Sequence, residues 1–448
     1  MSLPSQRLFS NIDLAKLFLP IVIEQFLEYT VGLAGSIMAA HVSESAVSAV
    51  SLVEFVMALF ISVFSALATG GAVIAGQYLG DKQIGNARNV TDQLVWFSLV
   101  FSVAVMILLY LVKDLMLDHV FCDITETVRQ NSSHYFLLVL PSLPFLALYA
   151  CGAAIFRTMG NSKLPMYIML VMNITNVILT AIFIYAFKFG VFGIGAAALI
   201  TRGLACFIVI YLLLDIKLKL HIRKTLRHKF DLAMIKRILS IGMPYGFENG
   251  MFYVGRIIVL SLVTMFGTAA IAANAVGGTI AMFQVLPGMA IGMGLTVVIS
   301  RCVGASDYEQ AKFYTKRITA IVYVAQFVSC VVVILLLEPI LNLYALSNEA
   351  RTLTAQIIWW HGAMTIVFWP LAYTLPVVFR AAGDAKYPMI VSIVSMFVCR
   401  VALAYIFSLM LGLGMMGTWF AMFVDWIVKA AIFVYRYLNG KWTEFRAI

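Results

Sequence analysis

The sequence contains the same eleven-residue segment twice. Residues 156–166 read FRTMGNSKLPM and residues 379–389 read FRAAGDAKYPM, so Phe, Arg, Gly, Lys, Pro and Met recur at six of the eleven positions. The segment LPIVIE, which ends in Glu24, recurs at almost the same spacing as MPYGFE, which ends in Glu248. A chain built from two copies of one unit of about 224 residues is expected to fold as two related halves.

Each copy is apolar enough to lie in a lipid bilayer. Hydrophobic residues make up 62% and charged residues 12% of the 448-residue chain, whereas soluble proteins carry about 25% charged residues. A membrane-spanning helix needs about 20 mainly apolar residues, and the first apolar stretch lacks the basic start and the cleavage site of a signal peptide. We predict twelve spans, at 14–39, 48–78, 91–112, 133–155, 165–187, 193–214, 238–264, 272–299, 318–337, 355–378, 388–410 and 416–437.

The predicted fold is therefore an all-α polytopic membrane protein, with twelve transmembrane helices in two pseudo-symmetric six-helix lobes. The predicted domains are an N-terminal lobe (1–215), a basic linker (216–237) and a C-terminal lobe (238–448). An even number of spans in each copy gives both copies the same orientation in the membrane. Many secondary transporters are built from two such repeats and bind the substrate where the repeats meet.

The basic residues of the loops orient the chain in the membrane. By our assignment 23 of the 31 Lys and Arg residues lie on one face, and residues 217–237 supply eight of them. The rule that positive charge stays inside predicts a multi-pass protein of the cytoplasmic (inner) membrane with both termini and the linker in the cytoplasm. The basic linker is typical of contact with anionic membrane lipids. Base-reading or stacking elements are absent, so we expect no nucleic-acid partner, and we expect a monomer.

The sequence shows no motif for catalysis or for a bound cofactor. It lacks GxxxxGK[ST], which excludes the usual ATP-binding loop as a source of energy. Six cysteines are scattered without a CxxC pair, which supports neither a disulfide framework nor a zinc site. The six histidines have no Ser and Asp grouped with them. We predict a protein that is not an enzyme and has no cofactor, with a proton or a sodium ion as the coupling ion.

Ionisable residues inside the predicted spans are candidates for the functional site, because charge in the hydrocarbon is costly. Glu24 and Glu28 lie four residues apart in the first span, hence on one helix face, and Glu54 lies in the second span. Two neighbouring carboxylates repel each other, so one should hold a proton unless a cation neutralises it. Glu28 is the main candidate for coupling, because Phe252 occupies its place in the second copy and the repeat does not explain it.

For three of the carboxylates, the sequence leaves a structural interpretation open. Glu24 and Glu248, which match across the copies, either take part in coupling or cap helix kinks after the matched prolines. Glu54 belongs either to the functional site or to the solvated external surface.

Five further charged residues lie at span ends or inside spans. Arg157 and its counterpart Arg380 are expected to bond carbonyls at helix ends, and Lys429 to extend to the cytoplasmic surface. Arg202 and Asp425 occupy almost equivalent places in the two copies. They form either a salt bridge between the sixth and twelfth spans or two separate structural contacts.

Polar and aromatic residues of the second copy complete the candidate site. Flexible Met side chains and aromatic faces suit flat or cationic organic molecules, so small organic compounds are the predicted substrates. The candidate ion-coupling and substrate residues are Glu28, Glu54, Glu248, Glu24, Asn249, Arg256, Asn176, Gln284, Trp369 and Tyr373.

The two six-span halves, the FRTMGNSKLPM and FRAAGDAKYPM pair, and GMPYGFENGMFYVGR in the seventh span together resemble the multidrug and toxic compound extrusion (MATE) family. The resemblance extends from Leu14 to about Tyr437. It implies a V-shaped pair of six-helix lobes, a central cavity, and export of organic cations coupled to inward flow of protons or sodium ions.

Three positions depart from the pattern of that family. Gly35 stands where many members carry Asp in the first span, Thr180 stands where an Asp often follows the fifth-span Asn, and Trp369 lies near the tenth-span Asp of some members. Glu28 and Glu54 are then the expected substitutes for the usual coupling carboxylates.

The leading hypothesis is a secondary active exporter of organic cationic or amphipathic compounds that works by alternating access. One alternative is a flippase for lipid-linked saccharides, whose site would use Arg202, Arg256 and Arg400 to bind the diphosphate. A second alternative is a transport-inactive membrane sensor or scaffold, which the missing Asp favours.

Overall fold

The structure is a computed structural model that describes residues 7–120, 125–223, 229–344 and 346–448. Cys122 and the linker residues Lys224 and Arg227 lie outside these ranges. In the described chain the long helices coincide with the twelve predicted spans, and the shortest of them has 24 residues. At 1.5 Å per residue this is about 36 Å, enough to cross a hydrocarbon layer of about 30 Å. The prediction of an all-α polytopic membrane protein is confirmed.

The twelve helices follow one another along the chain with short connections. They are α1 (Asn11–Ala40), α2 (Glu44–Gly80), α3 (Ile84–Leu115), α4 (Glu126–Thr158), α5 (Lys163–Ala186), α6 (Gly190–Leu213), α7 (Leu232–Thr264), α8 (Thr268–Gly304), α9 (Tyr308–Leu335), α10 (Asn348–Val367 and Pro370–Ala382), α11 (Lys386–Met410) and α12 (Gly414–Leu438). A short helix, Leu337–Asn342, joins α9 to α10.

Helix α10 is broken where proline interrupts its hydrogen bonds. Its two parts meet at 60° between Val367 and Pro370, because proline lacks the N–H that a continuous helix requires and its ring clashes with the preceding turn. A wide helical turn, Pro370–Thr374, follows the break. By contrast, Pro20 and Pro244 lie inside helices that remain continuous.

The repeated segment ends α4 and α10 with the same turn. Gly160 and Gly383 have φ angles of +90° and +118°, which only glycine adopts without strain. The N–H of each glycine donates to the carbonyl three residues earlier, at 2.8 and 3.1 Å, and the next N–H donates to the carbonyl five residues earlier, at 2.9 Å in both copies. This is the Schellman arrangement of a helix C-terminus, and it explains why the glycine recurs.

A second type of turn also occurs in both copies, after α2 and after α8. Lys82 and Ser306, which occupy equivalent places in the two copies, both have positive φ, at +60° and +58°. The next N–H in each copy donates to the carbonyl five residues earlier, at 2.9 and 3.0 Å. In the second copy, Asp307 then caps α9 by accepting a hydrogen bond of 3.0 Å from the N–H of Gln310. Each of these turns is followed directly by the start of a helix, α3 in the first copy and α9 in the second.

The chain divides into two compact units. The first unit is Phe9–Gly246, and the second is Phe247–Ile448 joined by Arg7 and Leu8. In the first unit, apolar residues of α2 and α4 such as Met57, Phe64 and Phe136 are fully buried in one core. The lobe and linker boundaries at 215, 216 and 237 stay a prediction.

The basic linker is tied to the start of α3 in the first unit. The N–H of Arg223 donates to Asp92 at 2.9 Å, and the Arg223 guanidinium lies 3.3 Å from the same carboxylate. Asp231 accepts hydrogen bonds from the Met234 N–H at 3.1 Å and the Asn89 side chain at 3.0 Å, and these bonds lower the pKa of Asp231. The linker segments on both sides of residues 224–228 are therefore anchored.

Candidate ion-coupling and substrate site

In the first unit, the carboxylate of Glu24 is buried against the last turn of α4. Only 1% of Glu24 is exposed. Arg157, which the terminating turn places beside α1, donates to Glu24 Oε1 at 2.6 Å. The hydroxyl of Tyr149 lies 3.3 Å from the same oxygen and 3.2 Å from the carbonyl of Pro165. Glu24 is thus held by a cation and a phenol that connect α1 with α4 and α5.

The second unit makes the same ion pair from the repeated residues. Arg380 donates to Glu248 Oε2 at 3.1 Å, so the repeated Arg meets the repeated Glu in both units. Sequence reasoning assigned Arg157 and Arg380 to helix carbonyls and missed this pairing. A signal was present, because the two arginines and the two glutamates recur at nearly equal spacings along the chain.

Glu54 and Arg202 form a second ion pair in the first unit. The hydroxyl of Tyr135 donates to Glu54 Oε1 at 2.7 Å, and the Arg202 guanidinium lies 3.5 Å from the same oxygen. Arg202 also donates to the hydroxyl of Ser142 at 2.9 Å. Of the two interpretations of Arg202 and Asp425, the structure therefore supports separate contacts, with Arg202 joining α6 to α2 and α4.

Asp425 pairs with Lys429 inside the second unit. The two charged atoms are 3.0 Å apart, and both side chains are buried. The hydroxyl of Ser395 on α11 donates to the other oxygen of Asp425. The expectation that Lys429 extends to the surface is wrong, because a buried carboxylate one helical turn earlier lies within reach. The spacing of four residues was a usable signal for this pair.

Glu28 differs from the other carboxylates of the spans. Glu24, Glu54, Asp92, Glu248 and Asp425 each have a basic partner within 4 Å. Within the described ranges, Glu28 has none. Its carboxylate is exposed and accepts a hydrogen bond of 2.9 Å from the Gln25 side chain. It lies one helical turn from Glu24, close enough for electrostatic repulsion between the two groups.

Polar and aromatic candidates of α8 and α10 lie together in the second unit. Gln284 is buried, contacts His361 Nδ1 at 2.5 Å and donates to the Ile358 carbonyl at 3.3 Å. The rings of Trp369 and Tyr373 stack with centroids 4.8 Å apart. Gln284 therefore bonds within the interior of the second unit, and His361 on α10 is its partner there.

The remaining candidates lie on α5 and α7. Asn176 on α5 donates to the hydroxyl of Thr201 on α6 at 3.2 Å. Asn249 is half-buried and Arg256 is exposed, and both are on α7. The structure thus groups Glu24 with Glu28 on α1, and Trp369 with Tyr373 on α10.

A family model named MatE matches residues 20–182 and again residues 244–406. The two matches are separated by the same spacing as the repeated Glu24 and Glu248. The chain belongs to the MatE family. Its members are membrane transporters and not enzymes, so the family resemblance inferred from the repeated motifs is confirmed.

Individual relatives cover almost the whole of this MatE-family chain. It is 26% identical to the uncharacterized transporter YisQ of Bacillus subtilis, over 98% of this chain and 96% of the relative. It is 24% identical to the probable multidrug resistance protein NorM of Thermotoga maritima, over 97% and 94%. Its fold is similar to that of a MOP superfamily transporter from Pyrococcus furiosus, with a TM-score of 0.88, 20% identity and 96% coverage of both chains.

Proposed function

We propose that this transporter exports small amphipathic organic compounds by alternating access, and that proton binding and release at Glu28 couples export to the proton gradient. The observation that carries the proposal is the lack of a basic partner for Glu28 in the described chain, while the other five span carboxylates are paired. A carboxylate held by a cation keeps its charge, whereas a coupling residue must gain and lose charge during the cycle.

A proton suits this position better than a sodium ion. Hard metal cations are held by several oxygen ligands, whereas the hydrogen bond that the Glu28 carboxylate makes in the described structure is to an amide N–H of Gln25. One accessible carboxylate is sufficient to carry a proton. We therefore propose proton coupling, and the experiment below distinguishes it from sodium coupling.

The substrate class and the location follow from the family and the sequence. Relatives named as multidrug resistance proteins support small organic substrates for this chain. We place it in the cytoplasmic membrane as a monomer with both termini in the cytoplasm. The family match favours an exporter over a saccharide flippase or a transport-inactive scaffold.

The test uses the purified protein in vesicles with imposed gradients. We expect a proton gradient, and not a sodium gradient, to drive export of a fluorescent organic substrate by the wild type. Glu28→Gln keeps the size and the Gln25 contact but removes titration, so it should abolish gradient-driven export. Glu309→Gln, which changes an exposed glutamate at the start of α9, is the matched control and should transport normally.

Three results would overturn this proposal. Near-normal export by Glu28→Gln over a range of external pH would exclude Glu28 as the coupling residue. Export by the wild type that follows only the sodium gradient would assign coupling to sodium. A wild type that moves no substrate under either gradient would instead favour the scaffold.

A further inference from the structure

The second unit carries three cations close together on its spans. Arg256 on α7, Arg400 on α11 and Lys429 on α12 form this basic cluster, and Arg400 is within electrostatic range of Arg256, Asp425 and Tyr373. Asp425 is paired with Lys429. Three cations and one carboxylate leave a formal charge of +2.

The packing of α7 against α11 creates the cluster. A β-carbon on Gly255 would lie 2.2 Å from the terminal methyl of Met396, so the Met396 side chain packs directly against the α7 backbone at this glycine. Arg400 follows Met396 by four residues and therefore lies on the same face. Its guanidinium reaches α7 and lies 5.1 Å from the ring centroid of Phe252, one turn from Arg256. A wide helical turn, Met396–Ala402, contains Arg400.

Neither Arg256 nor Arg400 has a carboxylate within 4 Å in the described parts of the chain. Arg256 is exposed and Arg400 half-buried, so both are accessible to a ligand. A guanidinium in a membrane span is costly unless an anion or dipole offsets its charge. Guanidinium groups bind carboxylate and phosphate oxygens with two parallel hydrogen bonds. The ring of Phe252 offers an apolar surface beside them.

We propose that the basic cluster binds the negatively charged group of the transported compound, while Phe252 and Tyr373 contact its flat apolar part. This inference rests on the proposed export function and names its substrate class: organic amphiphiles that carry a carboxylate, sulfonate or phosphate ester. Lys429 is held by Asp425 and adds positive potential, whereas Arg400 and Arg256 contact the anion.

The test measures equilibrium binding, so it does not depend on transport. The full-length protein in phosphatidylcholine nanodiscs is titrated by calorimetry with naphthalene-2-sulfonate and with the cation 2-naphthyltrimethylammonium, which has the same ring system. The sulfonate should bind more tightly than the cation. Because a hydrogen bond to a charged group contributes about 1.5–3 kcal/mol, Arg400→Gln should weaken sulfonate binding about tenfold to a hundredfold and leave cation binding unchanged.

A matched control is available within the same unit. Arg317 on α9 also lies over a phenylalanine, with its guanidinium 5.9 Å from the Phe313 ring centroid, so Arg317→Gln should bind the sulfonate like the wild type. Arg400→Lys should retain part of the affinity. If Arg400→Gln fails to fold, Arg256→Gln at the exposed position replaces it and should also weaken binding.

Three outcomes would overturn the inference. The first is sulfonate binding that Arg400→Gln and Arg256→Gln leave unchanged. The second is an equal loss in Arg317→Gln. The third is displacement of the sulfonate by phosphatidylglycerol in wild-type nanodiscs but not in Arg400→Gln nanodiscs, which would assign the cluster to a lipid headgroup. Sulfonate binding in a protein that does not transport would contradict only the export proposal.

Discussion

At the scale of the residue, the repeated sequence places one glutamate–arginine ion pair in each unit. Glu24 and Arg157 are almost completely buried, and Glu24 Oε2 has no hydrogen-bond partner in the described structure. Removing one member of a buried pair leaves the other charge without compensation, which is more damaging than removing both. The pair connects α1 to α4, and we expect it, like the Glu248–Arg380 pair of the second unit, to stabilise the packing of its helices.

Arg157→Gln should lower the thermal stability of the detergent-purified protein, because it leaves the Glu24 carboxylate buried without a cation. The expected loss is about 3–5 kcal/mol. The double variant Glu24→Gln with Arg157→Gln should recover most of it, as measured by thermal unfolding. An unchanged unfolding temperature for the single variant would contradict this role.

The charged residues of the candidate site show how much of that site could be predicted from the sequence. Glu28 was selected because it has no counterpart in the repeat, and among the carboxylates of the spans it is the one without a basic partner within 4 Å in the described chain. The partners Arg202 of Glu54 and Lys429 of Asp425 were not predicted. Glu54 and Arg202 lie on different helices, so their pairing depends on how those helices rotate and pack, which the spacing along one helix does not contain. Asp425 and Lys429 lie four residues apart on α12, so their pairing could have been predicted from the sequence.

At the scale of the element, the spans were predictable because membrane thickness fixes the length of an apolar helix. The break in α10 was predictable from Pro370, whereas Pro20 and Pro244 leave their helices continuous. Proline alone therefore does not determine a break, since neighbouring helices can satisfy the freed backbone groups. The wide turns in α10 and α11 had no signal in the sequence.

Replacing the turn glycines should destabilise the helix ends to different extents. Gly160→Ala and Gly383→Ala both force alanine into positive φ, at a cost of about 1–2 kcal/mol. The cost should be larger at Gly383, because its β-carbon would lie 3.1 Å from the Ala447 nitrogen, whereas Gly160 has open space. Gly85→Ala, inside α3 and also in open space, is the control. Equal unfolding temperatures for all three variants would contradict the strain.

Asp92→Ala should release the linker from α3, because it removes the carboxylate that holds both the backbone and the guanidinium of Arg223. We expect faster cleavage by trypsin after Arg223 or Lys229, measured by gel electrophoresis. The half-buried turn residue Asp81, changed to Ala, should leave the cleavage rate unchanged. Cleavage of Asp92→Ala at the wild-type rate would show that other contacts of the linker are sufficient.

At the scale of the whole molecule, two copies of one design build a MatE-family transporter. The matches of the family model, the two turns and the two ion pairs all recur at nearly the same spacing along the chain. The chemistry, however, is not repeated. Glu28 has Phe252 as its counterpart, and the basic cluster belongs to the second unit, so coupling and substrate recognition are proposed to reside in different copies.

The orientation predicted from the loop charges has a direct test. A green fluorescent protein fused after Ile448 should fluoresce in cells, because this reporter folds in the cytoplasm. The same reporter inserted after Lys188, between α5 and α6, should remain dark. The opposite pattern would reverse the proposed topology.

The uneven distribution of tryptophan has a consequence for spectroscopy. The chain has seven tryptophans, and all except Trp96 lie in the second unit. Trp369 stacks on Tyr373, the ring beside Lys429. Ultraviolet-excited emission from the unlabelled protein therefore reports mainly on one copy of the repeat. Quenching of the tryptophan emission by a bound compound would locate the compound near the second unit, and Trp96→Phe would leave a protein whose entire tryptophan emission comes from that unit.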